Sequence, residues 1–285
     1  MTKTVSVYIP THNRPEMLDR ALKSLLAQSY KDIQVLVCND GSSKSYAHVV
    51  DKYNSLFNDF VYFENESPKG ACFARNRLIN AADGEYITGL DDDDEFLPTR
   101  IEDFVISEHL DNHAFLCAGH LTKTSRGVFK QTIQEGVITL SQLLSKNLVG
   151  NQVFTETKKL RESGGFDEKM PAWQDYDAWV MLTKRCGDGY KINKHNYRWN
   201  IDHEENRISN STKAKLGYEL FISKHSDILS KENLNHLYVQ DIINRNDKFL
   251  ISDVIGHFSL DSFPAIVKYQ IKKMFPGLKE KIYKI

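Results

Sequence analysis

The chain has 285 residues, enough for one large α/β domain with appendages or for two modest domains. Its 41% hydrophobic and 26% charged content is ordinary for a soluble protein, and a formal net charge of −1 gives no whole-chain attraction for nucleic acid. Cys38, Cys72, Cys117 and Cys186 form no C-x-x-C pair, no 18-residue apolar run occurs, and no apolar leader precedes the first strand pattern. The expectation is therefore a reducing, cytoplasmic setting with no disulfide framework and no membrane span.

Residues 5–9 are a β-branched and aromatic run ending at Pro10, and predict a strand. Pro15 then opens a helix pattern with apolar residues at Leu18, Ala21, Leu22, Leu25 and Leu26. Residues 33–38 are nearly all apolar, as in a buried parallel strand, and stop at the loop Asn39-Asp40-Gly41-Ser42-Ser43. A short strand at 60–63, a helix over 71–82, a strand at 86–90 and a helix over 98–110 follow. This alternation predicts a Rossmann-like, mostly parallel sheet flanked by helices. Ligands in such sheets bind beyond the carboxyl ends of the strands. Thr11-His12-Asn13-Arg14, Asp40-Gly41-Ser42-Ser43 and Asp91-Asp92-Asp93-Asp94 all sit at such ends, so the fold would gather them on one rim.

From about 114 to 205 the pattern is mixed, with strands at 115–118 and 128–131, a helix over 140–146, and a helix starting near Gln174. No linker interrupts it, so it reads as the same domain. Residues from about 212 onward read as helical, and no internal repeat occurs.

Four adjacent carboxylates cost energy unless a cation compensates them. Oxygen ligands suit Mg2+ or Mn2+, with diphosphate oxygens completing the shell. In an extended segment Asp91 and Asp93 would face the ligand together and Asp92 would face away. A solvated acidic loop is the plain alternative. An EF-hand is disfavoured because Phe96 stands where that loop needs Gly.

These segments, with Gly70–Asn76 (GACFARN), Leu90–Pro98 (LDDDDEFLP), Gly164-Gly165-Phe166-Asp167 and the stretch from Trp173 to Trp179, resemble the inverting GT-A glycosyltransferases of family 2 in order and spacing over roughly residues 4–205. The resemblance implies a GT-A domain over 1–210, with a nucleotide-binding half to about 110 and an acceptor half over 111–210, followed by a helical extension over 211–285. It places Pro10, Thr11, Asn13, Arg14, Asp40, Arg75, Asp91 and Asp92 around the nucleotide-sugar, with Asp40 toward the uracil and Asp91 toward the ribose. It makes Asp93 the metal-binding member of the DxD signature and gives Asp94 the donor sugar or the loop to orient. Other readings stay open for some of these residues. Thr11 and Asn13 could cap the helix begun by Pro15, Asp40 could shape its turn, and Arg75 could be a surface ion-pairing residue.

Single displacement at an anomeric carbon needs a carboxylate to take the acceptor's proton. By resemblance this is Asp175, with Asp177 or a helix-capping role for Asp175 as alternatives. The family carries Glu-Asp here, whereas this chain has Gln174-Asp175. Gln174 and Trp173 are placed near donor or acceptor sugar, although a Trp at this place also suits a core. His203 is a candidate metal ligand, and Arg207 and Ser209 are candidate phosphate contacts. The last residues interleave six lysines with apolar residues, which suits either a peripheral membrane helix or a helix packed on the protein.

The expected function is transfer of glucose or galactose, with N-acetylated donors also open, from a UDP-sugar to an undecaprenyl diphosphate-linked glycan, in O-antigen or capsule assembly at the cytoplasmic face of the inner membrane. A nucleotide-sugar-binding protein without activity is one alternative. A sugar nucleotidyltransferase is another, disfavoured because Thr-His-Asn-Arg-Pro stands where a Gly-rich phosphate loop belongs.

Overall fold

The computed structural model describes residues 3–125, 127–201, 211–250, 253, 256 and 263–274. In chain order the elements are β1 (Val5–Thr11), α1 (Pro15–Leu26), β2 (Ile33–Asn39), α2 (Ala47–Asn54), β3 (Asp59–Glu64), α3 (Ala71–Ala81), β4 (Tyr86–Gly89), β5 (Glu95–Phe96), α4 (Arg100–Val105), β6 (Phe115–Thr124), β7 (Gly127–Lys130), β8 (Gly136–Ile138), α5 (Leu140–Leu143), β9 (Phe154–Glu156), α6 (Thr157–Glu162), α7 (Gln174–Cys186), β10 (Gly189–Asn200), α8 (Ser211–Lys224), α9 (Lys231–Asn244) and α10 (Phe263–Met274). They fall into two compact units. One holds residues 1–140, 148–169 and 174–205; the other holds 141–147, 170–173 and 206–285.

Among the described residues ten strands form one sheet, ordered β3-β2-β1-β4-β9-β6-β10-β5, with β7 beside β6 and β8 beside β10. β3, β2, β1 and β4 are parallel. Past β4 the sheet is mixed: β9 is antiparallel to β4 and β6, while β6 and β10 run parallel. Every residue of β1 and β2 is buried. Covered on both faces, these strands have no solvent side to mark with polar residues, hence their continuous apolar runs. The buried polar exceptions are satisfied: Gln34 Oε1 accepts from Ser6 Oγ (2.7 Å) and Asp83 N (2.8 Å).

α1 buries Leu18, Ala21, Leu22 and Leu25 against this sheet's core, with Pro15 in its first turn. α4 is shorter than the helix expected over 98–110. After Val105 the backbone continues in i+3 turns (Ser107 N to Phe104 O, Leu110 N to Ser107 O), and Ile106 points to solvent. β6 is longer than the strand expected over 115–118. Its later half is only partly buried, so polar residues alternate where the apolar run stops, while pairing with β7 and β10 carries the strand on. Arg100 is 2% exposed and lies 4.7 to 5.0 Å from the ring centroids of Phe96, Phe104 and Tyr197. Burial lowers its pKa to about 10. Its Nη1 donates to Asn196 Oδ1 at 2.7 Å.

Strand order reverses direction around β1, with β2 on one side and β4 on the other. That switch point is where connections diverge and leave a crevice. The residues following β1, β2 and β4 therefore meet at one edge.

In the helical unit, α9 starts with a capping box, in which Ser230 and Asn233 satisfy each other's backbone donors. Val239 and Ile242 of α9 pack with Phe249 and with Ile266 of α10. The segments 141–147 and 170–173 join this unit through side-chain contacts. Asn233 Nδ2 donates to Ser145 Oγ (2.8 Å), Gly217 closes on Ala172, and Trp173 packs on Tyr218 and Phe221. Among the described residues no helix is long and apolar enough to cross a membrane.

Candidate active site

The rim begins with the loop after β1. Thr11 Oγ1 donates to Asp92 Oδ2 at 2.7 Å and lies 2.8 Å from the Tyr46 hydroxyl. Asn13 has a φ of 58° and its side-chain oxygen accepts from Ser43 N (2.8 Å) and Ser43 Oγ (3.0 Å). Neither residue caps α1: the cap position is Arg14, with no side-chain cap bond. The capping alternative is thereby corrected, because both side chains are committed across the rim. Pro10 is the penultimate residue of β1, opposite Cys38, buried where the chain turns toward this loop.

Asp40 is 5% exposed. Its Oδ1 accepts from Asn65 Nδ2 (2.8 Å) and Lys69 N (2.9 Å), and Oδ2 from Gly70 N (2.7 Å). The carboxylate thus anchors residues 65–70, the approach to α3. Gly41 (φ 63°) fits because a Cβ there would strike the Ser67–Pro68 backbone.

Asp91 to Asp94 form a turn, closed by Asp94 N to Asp91 O at 3.0 Å, rather than an extended segment. The simple alternation expected for Asp91 and Asp93 therefore gives way to four separate environments. Asp91 Oδ1 accepts from Arg75 Nη2 (3.0 Å) and Gln152 Nε2 (3.3 Å). Asp92, 1% exposed, meets Arg14 Nη2 at 2.7 Å as well as Thr11. Burial pushes its carboxyl up to about 7, against the pull of Arg14. Asp93 keeps 26% of its side chain exposed beside Arg14 Nη1 (3.2 Å), while its carbonyl is gripped by Arg20 and Asn200. Asp94 is 1% exposed; Tyr197 OH (2.8 Å) and Asn200 N (2.9 Å) donate to it. Burial and the neighbouring Asp91 and Asp93 raise its pKa well above normal. Two guanidinium groups, Arg14 and Arg75, compensate the run. Asp91 and Asp93 keep 20% and 26% of their side chains exposed, and Asp93 is the one whose carbonyl is held by both Arg20 and Asn200.

Arg75 is 7% exposed, so it is not a surface ion-pairing residue. It lies over the Phe166 ring (5.1 Å), binds Asp91, donates through Nη1 to Gln174 Oε1 (3.2 Å), and stands 4.0 Å from Asp175 Oδ1. The acidic turn after β4 and the first turn of α7 are thus joined through one cation. Asp175 is 31% exposed, yet its Oδ1 is buried and accepts no hydrogen bond. Burial drives its pKa up to about 7, Arg75 opposes the rise and Asp91 adds to it. Asp177 is 1% exposed, on the buried side of α7. A carboxylate that must reach an incoming hydroxyl needs the openness of Asp175. Gln174 supplies its amide oxygen to Arg75, one less negative charge beside Asp175 than a Glu would bring.

Trp173 (φ 64°) belongs to the helical unit, packed on Tyr218 and Phe221. His203, Arg207 and Ser209 lie outside the described residues. Among the described residues no three His, Cys, Asp or Glu side chains form a metal cluster. The sequence pattern gave no sign of Tyr46, Gln152, Tyr197 and Asn200. Each reaches the rim from 61 to 106 residues away or across a loop, and no local signal marks them. Gly89 lets Gln152 in: a Cβ there would strike Gln152 Oε1 and the Tyr8 ring. A separate cavity lined by Asp111, His113, Lys159 and Cys186 contains none of these residues.

Residues 6–160 match the family model described as glycosyl transferase family 2. The chain is 34% identical over 231 residues to WcaA of Escherichia coli, provisionally assigned as a colanic acid biosynthesis glycosyl transferase, covering 78% of this chain and 81% of WcaA. It is 28% identical over 186 residues to the GalNAc(5)-diNAcBac-PP-undecaprenol beta-1,3-glucosyltransferase of Campylobacter jejuni, covering 63% of this chain and 60% of that protein. It spans 27% to 31% of three longer rickettsial relatives. Staphylococcus aureus TarS in complex with UDP-GlcNAc shares the fold, a GT-A architecture, at a TM-score of 0.68 and 19% identity, over 93% of this chain and 79% of that one.

Proposed function

The chain belongs to glycosyl transferase family 2, and from that premise we propose that it moves a hexose, glucose or galactose, from a UDP-sugar to a lipid-linked glycan, with inversion, in surface-polysaccharide assembly. The observation that carries this reading is the Arg75 bridge. It ties Asp91, at the end of β4, to Asp175, at the start of α7. A leaving-group side and a proton-accepting side are thereby held in one electrostatic unit.

In this mechanism Asp175 takes the proton of the acceptor hydroxyl. The hydroxyl oxygen forms a bond to the anomeric carbon as the bond to the diphosphate oxygen breaks, and UDP leaves with the electron pair. A carboxylate desolvated toward neutral pKa is a stronger base than a solvated one, and Arg75 keeps enough of it ionised. Pro10, Thr11, Asn13, Arg14, Asp40, Asp91 and Asp92 shape the nucleotide side. Several of them act by bracing one another, as Thr11 and Arg14 brace Asp92. The part-exposed Asp93 carboxylate, paired with Arg14, would hold Mn2+ or Mg2+ together with diphosphate oxygens; His203 is the proposed second ligand. A bound divalent cation would neutralise the departing diphosphate. Asp94 orients the turn through Tyr197 and Asn200.

The lipid-linked acceptor is supported by the Campylobacter relative, whose name specifies an undecaprenol diphosphate substrate, and the polysaccharide setting by WcaA. The TarS complex supports a UDP-sugar and brings N-acetylated donors into the panel to test. That acceptor would place the enzyme at the cytoplasmic face of the inner membrane, with Trp173 and Gln174 toward the sugars and residues 1–210 as the transferase domain. The test is donor turnover and transfer with UDP-glucose, UDP-galactose and UDP-GlcNAc, with and without Mn2+. Equal transfer by the parent and Asp175→Ala removes Asp175 as the base; no turnover of any UDP-sugar removes the donor class.

A further inference from the structure

We infer that the outward face of α10 docks on an anionic lipid bilayer. This inference deepens the lipid-linked acceptor reading and rests on it for its purpose, while the surface itself belongs to the helical unit.

The inward side of α10 is already satisfied. Ile266, 4% exposed, packs with Val239, Ile242 and Phe249. The Tyr269 ring meets Phe249 edge-on at 5.7 Å, and its hydroxyl donates to Asp247 O at 2.8 Å. Lys273 Nζ donates to the carbonyls of Asn246 (2.7 Å) and Asp247 (2.9 Å). These contacts fix the helix and its rotation on α9. They leave Val267, 36% exposed, and Ile271, 43% exposed, on the outer side, and residues four apart share a helix face, so the two form one apolar stripe. Apolar side chains in a row on an exposed helix mark an interaction surface.

The charge pattern selects the partner. Lys268 is exposed beside the stripe, and α10 contains no Asp or Glu. Over residues 263–285 the sequence holds six lysines and one glutamate, in a chain whose formal net charge is −1. A second copy of this face would set lysine against lysine, which opposes self-association. A bilayer of anionic lipid offers both counterparts at once, headgroup charge for the lysines and an acyl boundary for the stripe. The twelve described residues of α10 measure about 18 Å, less than the thickness of a bilayer, and the proposal has them lie in the interface plane.

The experiment is co-sedimentation of the full chain with vesicles of phosphatidylcholine alone and of phosphatidylcholine with phosphatidylglycerol. The parent is expected to bind only the anionic vesicles. Val267→Asp/Ile271→Asp should lose that binding, and Lys268→Gln should weaken it roughly fivefold. Val267→Ser/Ile271→Ser, a milder pair, and thermal unfolding of every variant separate lost docking from lost folding. Equal binding by the parent and both double variants, or equal binding to neutral and anionic vesicles, overturns the inference. So does a parent dimer that the same substitutions convert to monomer, since a second copy would then own the face. Donor turnover in the absence of vesicles is read in parallel. Turnover with no vesicle binding leaves the proposed function standing and this surface refuted; vesicle binding with no turnover does the reverse.

Discussion

The acidic turn after β4 and the outer stripe of α10 both invert the usual rule of burial, in opposite directions. Asp92 and Asp94 are carboxylates at 1% exposure, while Val267 and Ile271 are aliphatic side chains at 36% and 43%. The difference lies in where the compensation comes from. Arg14, Thr11, Tyr197 and Asn200 answer the buried acids from within the same unit. The stripe's remedy, on the docking inference, comes from outside the chain. A buried polar group answered internally is scaffold. A part-exposed group beside it, such as Asp93 or Asp175, can still meet a ligand, which is why the proposed chemistry is placed there.

Substitutions at the turn and at α7 test that contrast most severely. Asp175→Ala should lower transfer by about 10² to 10⁴-fold while UDP-sugar binding persists, read by steady-state transfer and calorimetry. If binding and transfer fall together, Asp175 belongs to the scaffold and the contrast breaks. Asp93→Ala should abolish Mn2+-assisted UDP uptake in calorimetry and change stability by under about 1 kcal/mol, because its ion pair with Arg14 is part-exposed. Asp94→Ala should do the opposite in kind. It strands the Tyr197 hydroxyl and the Asn200 amide, and should cost about 1–3 kcal/mol in a denaturant midpoint even without donor.

A smaller effect sharpens the role of Arg75. A base works only when ionised, so transfer should fall as pH drops through the pKa of Asp175, near 7. Arg75 favours the ionised form, so Arg75→Gln should move that acidic limb to higher pH. A pH–rate profile whose limb stays in place would show that Arg75 braces the site without tuning the base. Lys268→Gln, at roughly fivefold in vesicle binding and none in donor turnover, is the smallest expected change.

Much of the fold was legible because its signals are local. The apolar runs of β1 and β2, the Pro15 start of α1 and the polar ends of three strands come from neighbouring residues, and parallel topology alone brings those ends to one rim. The candidate site was legible for the same reason at Thr11, Asn13, Arg14, Asp40 and Asp91 to Asp94, all at strand ends. What each side chain does there was not. From sequence Thr11 and Asn13 could also cap α1, whereas their partners are Asp92 and Ser43 across the rim. A surface ion pair for Arg75 gives way to a buried position between Asp91 and Asp175. Tyr197 lies 103 residues from the acid it holds, and no pattern of period 2 or 3.6 encodes a pair that distant.

The sequence by itself determined the alternation of strand and helix and the rim, because hydrophobic periodicity and loop chemistry act over a few residues; the family entered through a resemblance of motifs in order and spacing. Only the tertiary structure decided which acids are scaffold and which are open. It also decided that one arginine couples the turn after β4 to α7, and which face of α10 is spent on packing. Burial and ion pairing depend on what the rest of the chain brings to a residue, and that is settled only when distant segments meet.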